Sequence, residues 1–138
     1  MEMILAAALP YLISVAQNVS WMVLCVYFEG RSEPMEDQIA ICQVIMNRVI
    51  RYDESAMEII QKPKQFSWLN NNERPAVDDY KSLGRAIAAV NICLNLRQDG
   101  KDLFGADHYF ARYIAPPLWA KDMKLVWSGK THSYYREH

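Results

Sequence analysis

Glu29 is the residue whose setting says most about chemistry. It follows Tyr27 and Phe28, precedes Gly30 and Arg31, and a second carboxyl, Glu33, stands four residues on. Aromatic neighbours strip a carboxyl of water, disfavour its charged form and raise its pKa, which suits it to deliver a proton near neutral pH. At a helix end the same residue can instead pair with Arg31 or Arg48 and stay ionised, a purely structural role. On the residues alone both roles stand open. Glu33, directly before Pro34, is better placed to serve a helix start than a reaction.

The other polar candidates are neutral. Gln65, Ser67, Tyr109 and His132 offer hydrogen bonds that would position a polar ligand or complete an internal network, and Trp68 and Trp119 offer flat faces for stacking or for core packing. The formal charge of -1 lacks the basic excess by which proteins displace counterions from phosphates, so a nucleic-acid partner is disfavoured. Cys25, Cys42 and Cys93 are odd in number and lie in apolar helical patterns, so they read as small buried hydrophobes in a chain made in a reducing cytosol. No close His/Glu spacing suggests a metal, and no cofactor is expected.

These residues need a scaffold, and its elements are legible. Met3 to Ala16 is apolar, follows an acidic Glu2, and contains no Lys or Arg. It reads as a packed N-terminal helix, neither a cleaved leader nor, at about fourteen residues, a bilayer span. Pro10 and Tyr11 break that run. Asn18 or Ser20 would cap a second helix through Trp21, Leu24, Cys25 and Phe28, stopped by Gly30. Pro34, with Glu36 and Asp37 behind it, opens a third whose stripe of Ile39, Cys42, Ile45 or Met46 and Val49 marks the central core helix. A short helix from about Ser55 to Gln61, a polar loop from Phe66 to Arg74 and a helix from about Val77 to Arg97, with Leu83, Ile87, Val90 and Leu94 on one face, follow. The last forty or so residues suggest a small hairpin: aromatic His108 to Ala111, a turn or brief helix opened by Pro116 and Pro117, a turn at Ser128 and Gly129, and a strand from Thr131 to Tyr135. The fold class is therefore mainly α with a small β element (α+β). One domain spans residues 21–138, with the helix of residues 1–20 packed on it.

The stretch Val26-Tyr27-Phe28-Glu29-Gly30-Arg31-Ser32-Glu33-Pro34, followed by Gln38-Ile39-Ala40 and Val44-Ile45-Met46-Asn47-Arg48-Val49, resembles the cell wall hydrolase family named for SleB, the spore cortex-lytic enzyme. Gln65-Phe66-Ser67-Trp68 resembles its Q-F-S-W loop. Gly105-Ala106-Asp107-His108-Tyr109, with Pro117, Trp119, Gly129, His132 and Tyr134-Tyr135, resembles its closing motifs. The likeness runs from about residue 21 to 136. Gly30 and Ser32 stand where the family has alanine and glycine, and Ser128 where it has isoleucine.

What the resemblance implies is a lysozyme-like, lytic-transglycosylase-like helical domain with a C-terminal hairpin. Its first motif Glu, here Glu29, would protonate the glycosidic oxygen between N-acetylmuramic acid and N-acetylglucosamine. Gln65, Ser67, Trp68, Tyr109, Trp119 and His132 become candidate substrate-binding residues, with peptidoglycan glycan strands as partner. A monomer acting on the wall without stable membrane insertion is expected, resembling a bacteriophage endolysin or an exported bacterial hydrolase. Two rivals are a zinc amidase or peptidase on the stem peptide, drawing ligands from Asp107, His108, His132 and a cysteine, and a non-catalytic wall-binding module.

Overall fold

The computed structural model describes residues 2–62, 65–69, 76–98 and 105–137; the side chains of residues 2–7, 67 and 98 lie outside that description. Four helices come first, α1 (Glu2–Gly30), α2 (Met35–Tyr52), α3 (Ala56–Gln61) and α4 (Tyr80–Gln98), with a 3₁₀ turn at Ser67–Leu69 between the last two. Strands β1 (His108–Ala111), β2 (Lys124–Ser128) and β3 (His132–Arg136) close the chain, with a 3₁₀ turn at Leu118–Asp122 before β2. The sheet is antiparallel in the order β1-β3-β2. The expected hairpin is β2–β3, and the aromatic run before it adds a third strand on the free edge of β3. The Asn70–Asn72 part of the anticipated polar loop lies outside the described residues.

Two expected N-terminal helices are one. Pro10 lies inside α1, where it removes a single i→i−4 bond from a helix of 29 residues anchored by its second half. Asn18 and Ser20 do not cap it. Their side chains turn back to the carbonyls of Ser14 (3.0 Å) and Ala16 (2.8 Å). Asn18 instead serves α3, its Oδ1 accepting from the Met57 N–H at 2.9 Å, while Ser55 Oγ accepts from the Glu58 N–H at 3.2 Å.

The two halves of α1 differ. Leu9, Tyr11, Leu12, Ile13 and Val15 are exposed, so this part of the helix is not packed on the domain as expected. Joined, Ala8–Gly30 is long and apolar enough to cross a bilayer by length and composition, which corrects the shorter count. Met22, Val23, Cys25, Val26 and Tyr27 nevertheless commit its second half to the protein core.

That core is organised by α2. Ala40 to Ile45 are all fully buried, because the helix is covered on both sides. One side meets α1, α3, Phe66 and α4 through Ile39, Ile41, Cys42 and Ile45; the other, built on Ala40 and Val44, meets Ala106 and Tyr134 of the sheet region. Burying each Ile or Val contributes about 1.5–3 kcal/mol. In α4, Val90 is buried and Leu83 and Leu94 pack on the core as expected, but Ile87 is exposed, and Ala86, Ala89 and Cys93 complete the buried face in its place. Small alanines bring α4 close to its neighbours, and a pattern weighted on large side chains overlooks them.

Asp53 ends α2 in the left-handed region (φ 51°), its N–H bonded to the Val49 carbonyl. This is the conformation glycine favours, and a negative charge there also opposes the helix dipole. Asp53→Gly is expected to raise stability by about 0.5–1 kcal/mol in urea denaturation.

Candidate active site

Glu29 occupies the last turn of α1, its side chain half-buried. Gly30 behind it is buried where α1 and α2 converge: a Cβ there would stand 2.8 Å from Ile41 Cδ1. Gln38 Nε2 donates to the carbonyls of Gly30 (2.9 Å) and Glu33 (3.2 Å), fixing the connection that follows Glu29. One turn before α2 ends, Asn47 Nδ2 donates to the Ala106 carbonyl and Arg48 Nε to that of Asp107, each at 2.6 Å. Two adjacent residues of α2 thereby hold the segment leading into β1, and so place Tyr109. Asn47 is itself held by Arg97 of α4 at 2.8 Å.

Tyr109 is the polar group brought to Glu29. Its hydroxyl is buried and close enough to favour the ionised carboxylate, yet it makes no well-formed hydrogen bond to a described protein group. Burial raises the Glu29 pKa, and the Tyr109 hydroxyl and the Arg48 charge oppose that rise without cancelling it. The ion-pair alternative fails on both partners. Arg31 binds Asp78 at 2.7 Å and also the Tyr27 hydroxyl. Arg48 donates from Nε to the Asp107 carbonyl and from Nη1 to Gln65 Oε1 at 3.4 Å. Among the described residues, Glu29 has no salt-bridge partner within 4.0 Å.

The expected substrate residues divide. Trp68 stacks on Phe28 (4.8 Å between centroids, 29°) and beyond it on Trp21 (6.3 Å), covering α1 one turn before Glu29 with its indole N–H towards the Cys25 thiol. Gln65 is exposed and lines a cleft of about 210 Å³ with Arg48, Tyr52, Ile59, Lys62 and His108. The Ser67 side chain lies outside the described residues. His132 is buried edge-on against Tyr109 at 5.2 Å, so it stands behind that ring.

Trp119 does not join them. Side chains alternate along a strand, and the register pairs Tyr109 with Tyr134 and Ala111 with His132, which sets His132, Tyr109 and Tyr134 on one face. Trp119 packs on the other, against His108 (5.2 Å), Phe110 (5.7 Å) and Tyr135 (5.6 Å). It is half-buried on that face, turned away from Tyr109.

The zinc set considered for a peptidase is likewise split. His108 lies on the Trp119 face, its Nδ1 bonded to Asp107 Oδ1 at 2.9 Å, while His132 lies on the opposite face. Cys25, Cys42 and Cys93 are buried free thiols in the helical core, as the sequence suggests.

The chain matches the family described as Cell Wall Hydrolase over residues 32–135. It belongs to the cell wall hydrolase family. The matched region begins three residues after Glu29. Two solved structures share the fold. The catalytic domain of the Bacillus cereus SleB protein superposes with a TM-score of 0.65 at 23% identity, over 86% of this chain and 89% of that one. The catalytic domain of the germination-specific lytic transglycosylase SleB from Bacillus anthracis gives 0.67 at 25% identity, over 86% and 93%. No curated protein matches the chain.

Two parts of this arrangement escape the sequence pattern. Gln38 and Asn47 position the site from inside α2, and as polar residues on a core helix they carry the signal of buried hydrogen-bonding groups. The grouping of Glu33 and Asp37 with His132 joins residues about a hundred positions apart, which no local spacing announces.

Proposed function

We propose that this cell wall hydrolase cleaves the β-1,4 glycosidic bond of peptidoglycan between N-acetylmuramic acid and N-acetylglucosamine, with Glu29 as general acid. The observation that carries it is a half-buried carboxyl, free of any described ion pair, whose pKa burial raises, facing a tyrosine hydroxyl with no settled partner. A proton can then be held until a leaving oxygen takes it. Tyr109 would hold the carboxyl's orientation, Gln65 in its cleft would hydrogen-bond the glycan, and the exposed portion of Trp68 would stack on a sugar ring.

Lytic transglycosylation is favoured over hydrolysis. A hydrolase needs a second carboxylate to act as nucleophile or to activate water. Glu33, the nearest in sequence, is grouped with Asp37 and His132. In transglycosylation the muramoyl 6-hydroxyl attacks C1 of its own sugar, the bond to the departing glycosidic oxygen breaks with the proton of Glu29, and the carboxylate then takes up the hydroxyl proton. The enzyme would be made in the cytoplasm and act as a monomer on the wall, as a phage endolysin or an exported hydrolase.

Digestion of purified peptidoglycan followed by mass spectrometry tests this. Fragments with intact stem peptides, lighter by one water than hydrolysis products, are expected. Fragments at the hydrolysis mass would restrict the enzyme to muramidase chemistry, released stem peptides would make it an amidase, and binding without fragments would make it a wall-binding module.

The pH profile carries the sign of the Glu29 shift. The active form is protonated, so kcat falls as pH rises through the raised pKa, later than an ordinary glutamate would allow. Arg48 lowers that pKa, and Arg48→Met is expected to move the falling limb to higher pH. An unmoved limb would show that another group sets it.

A further inference from the structure

We infer that Glu33, Asp37 and His132 form a binding site for a divalent transition-metal cation of the zinc class, seated behind Tyr109 and separate from the bond-breaking chemistry. The three come from three elements: the connection after α1, the first turn of α2, and β3. One ligand atom of each lies within 4.8 Å of the other two. Around zinc, with bonds of about 2.0–2.1 Å, ligand atoms stand roughly 3.4 Å apart, so small side-chain rotations would close the set. Two carboxylates and one imidazole make an intermediate donor set that suits zinc or manganese rather than calcium, which takes six to eight oxygens.

A second observation points the same way. Asp37 is 2% exposed and its Oδ1 has no hydrogen-bond partner; His132 is 7% exposed and its Nδ1 has none either. Buried polar atoms are normally paired, and two of the three residues in the cluster each carry one that is not. The backbone amides of Lys130 and Thr131 also face the Asp37 carboxylate, and they leave Oδ1 over. Asp37 reaches this turn because residue 129 is glycine: a Cβ there would stand 3.0 Å from the carboxyl carbon of Asp37 and closer still to Oδ1. Glu33, half-buried, gives the cation its way in and leaves a position for water.

A bound cation would pin β3 to the start of α2. His132 packs on Tyr109, so the clamp would steady the tyrosine that faces Glu29. The inference does not depend on the glycosidase proposal, because its readout is binding and stability.

The test is calorimetric titration of zinc chloride into tag-free, chelator-treated protein, with thermal unfolding alongside. One equivalent per chain and a rise in Tm of about 5 °C or more are expected at saturation. Calcium should give neither. His132→Gln and Asp37→Asn should each weaken zinc binding by at least about 100-fold, and His108→Gln should leave it unchanged. No heat and no Tm shift, or binding that survives His132→Gln but is lost in His108→Gln or on blocking the cysteines, would overturn the inference. Should Asp37→Asn fail to fold, the His132→Gln and His108→Gln pair decides alone.

Discussion

Glu29→Gln is expected to lower the rate of glycan cleavage by about 10³-fold or more while leaving the fold intact. Glutamine keeps the shape and the contact with Tyr109 but has no proton to give, and positioned acid catalysis contributes about 10²–10⁴-fold. Acid and base duties fall on the same side chain in transglycosylation, so the loss should lie at the upper end. Stability should move the other way. With its folded-state pKa raised, native Glu29 keeps a proton that the unfolded chain has already released, so stability falls as pH rises through the window between the two values. Glutamine removes that penalty. The variant should match the parent at pH below the ordinary glutamate range and equal or exceed it at pH 7, as urea denaturation at the two pH values would show. Unchanged cleavage would remove Glu29 from the mechanism.

Asp107→Ala is expected to destabilise the protein by about 3 kcal/mol, through loss of a buried charged network. Only 3% of Asp107 is exposed, and its carboxylate binds Arg51 Nη1 (3.2 Å), His108 Nδ1 (2.9 Å) and the Glu137 N–H (3.1 Å). These contacts join α2 to the start of β1 and the end of β3, which lie at the same end of the antiparallel pair. Asp107→Asn keeps an acceptor for the Glu137 N–H and should recover part of the loss. Urea midpoints for the two variants check the order. Had Asp107 been a catalytic zinc ligand, both would abolish activity in a folded protein with little change in midpoint. Here activity per folded molecule should largely survive, because the Ala106 and Asp107 carbonyls that Asn47 and Arg48 grip belong to the backbone.

Much of the scaffold was legible because its signals are local. Pro34 with Glu36 and Asp37 marks the start of α2, and an apolar stripe marks its buried face. Three elements were less legible, each for a reason. Pro10 looks like a break, yet one lost hydrogen bond does not end a helix whose other half is buried. Ala86 and Ala89 bury α4 by close approach, a property their size conceals. Trp119 looks like a sugar platform, and only the strand register shows that it covers the far face of the sheet. At the site itself, the choice between acid and ion pair for Glu29 could not be made from spacing. Three distant facts favour the proposed acid: Arg31 goes to Asp78, Arg48 goes to the Asp107 carbonyl, and Tyr109 arrives from β1.

The proposed chemistry rests on a carboxyl that burial keeps protonated to higher pH than an ordinary glutamate. Carboxyl ¹³C NMR of labelled protein, titrated across pH and assigned through Glu29→Gln, reads that proton directly. A Glu29 midpoint above the other glutamates, coinciding with the falling limb of the cleavage profile, is the expected result. A midpoint at or below the usual glutamate value of about 4.3 would contradict the account.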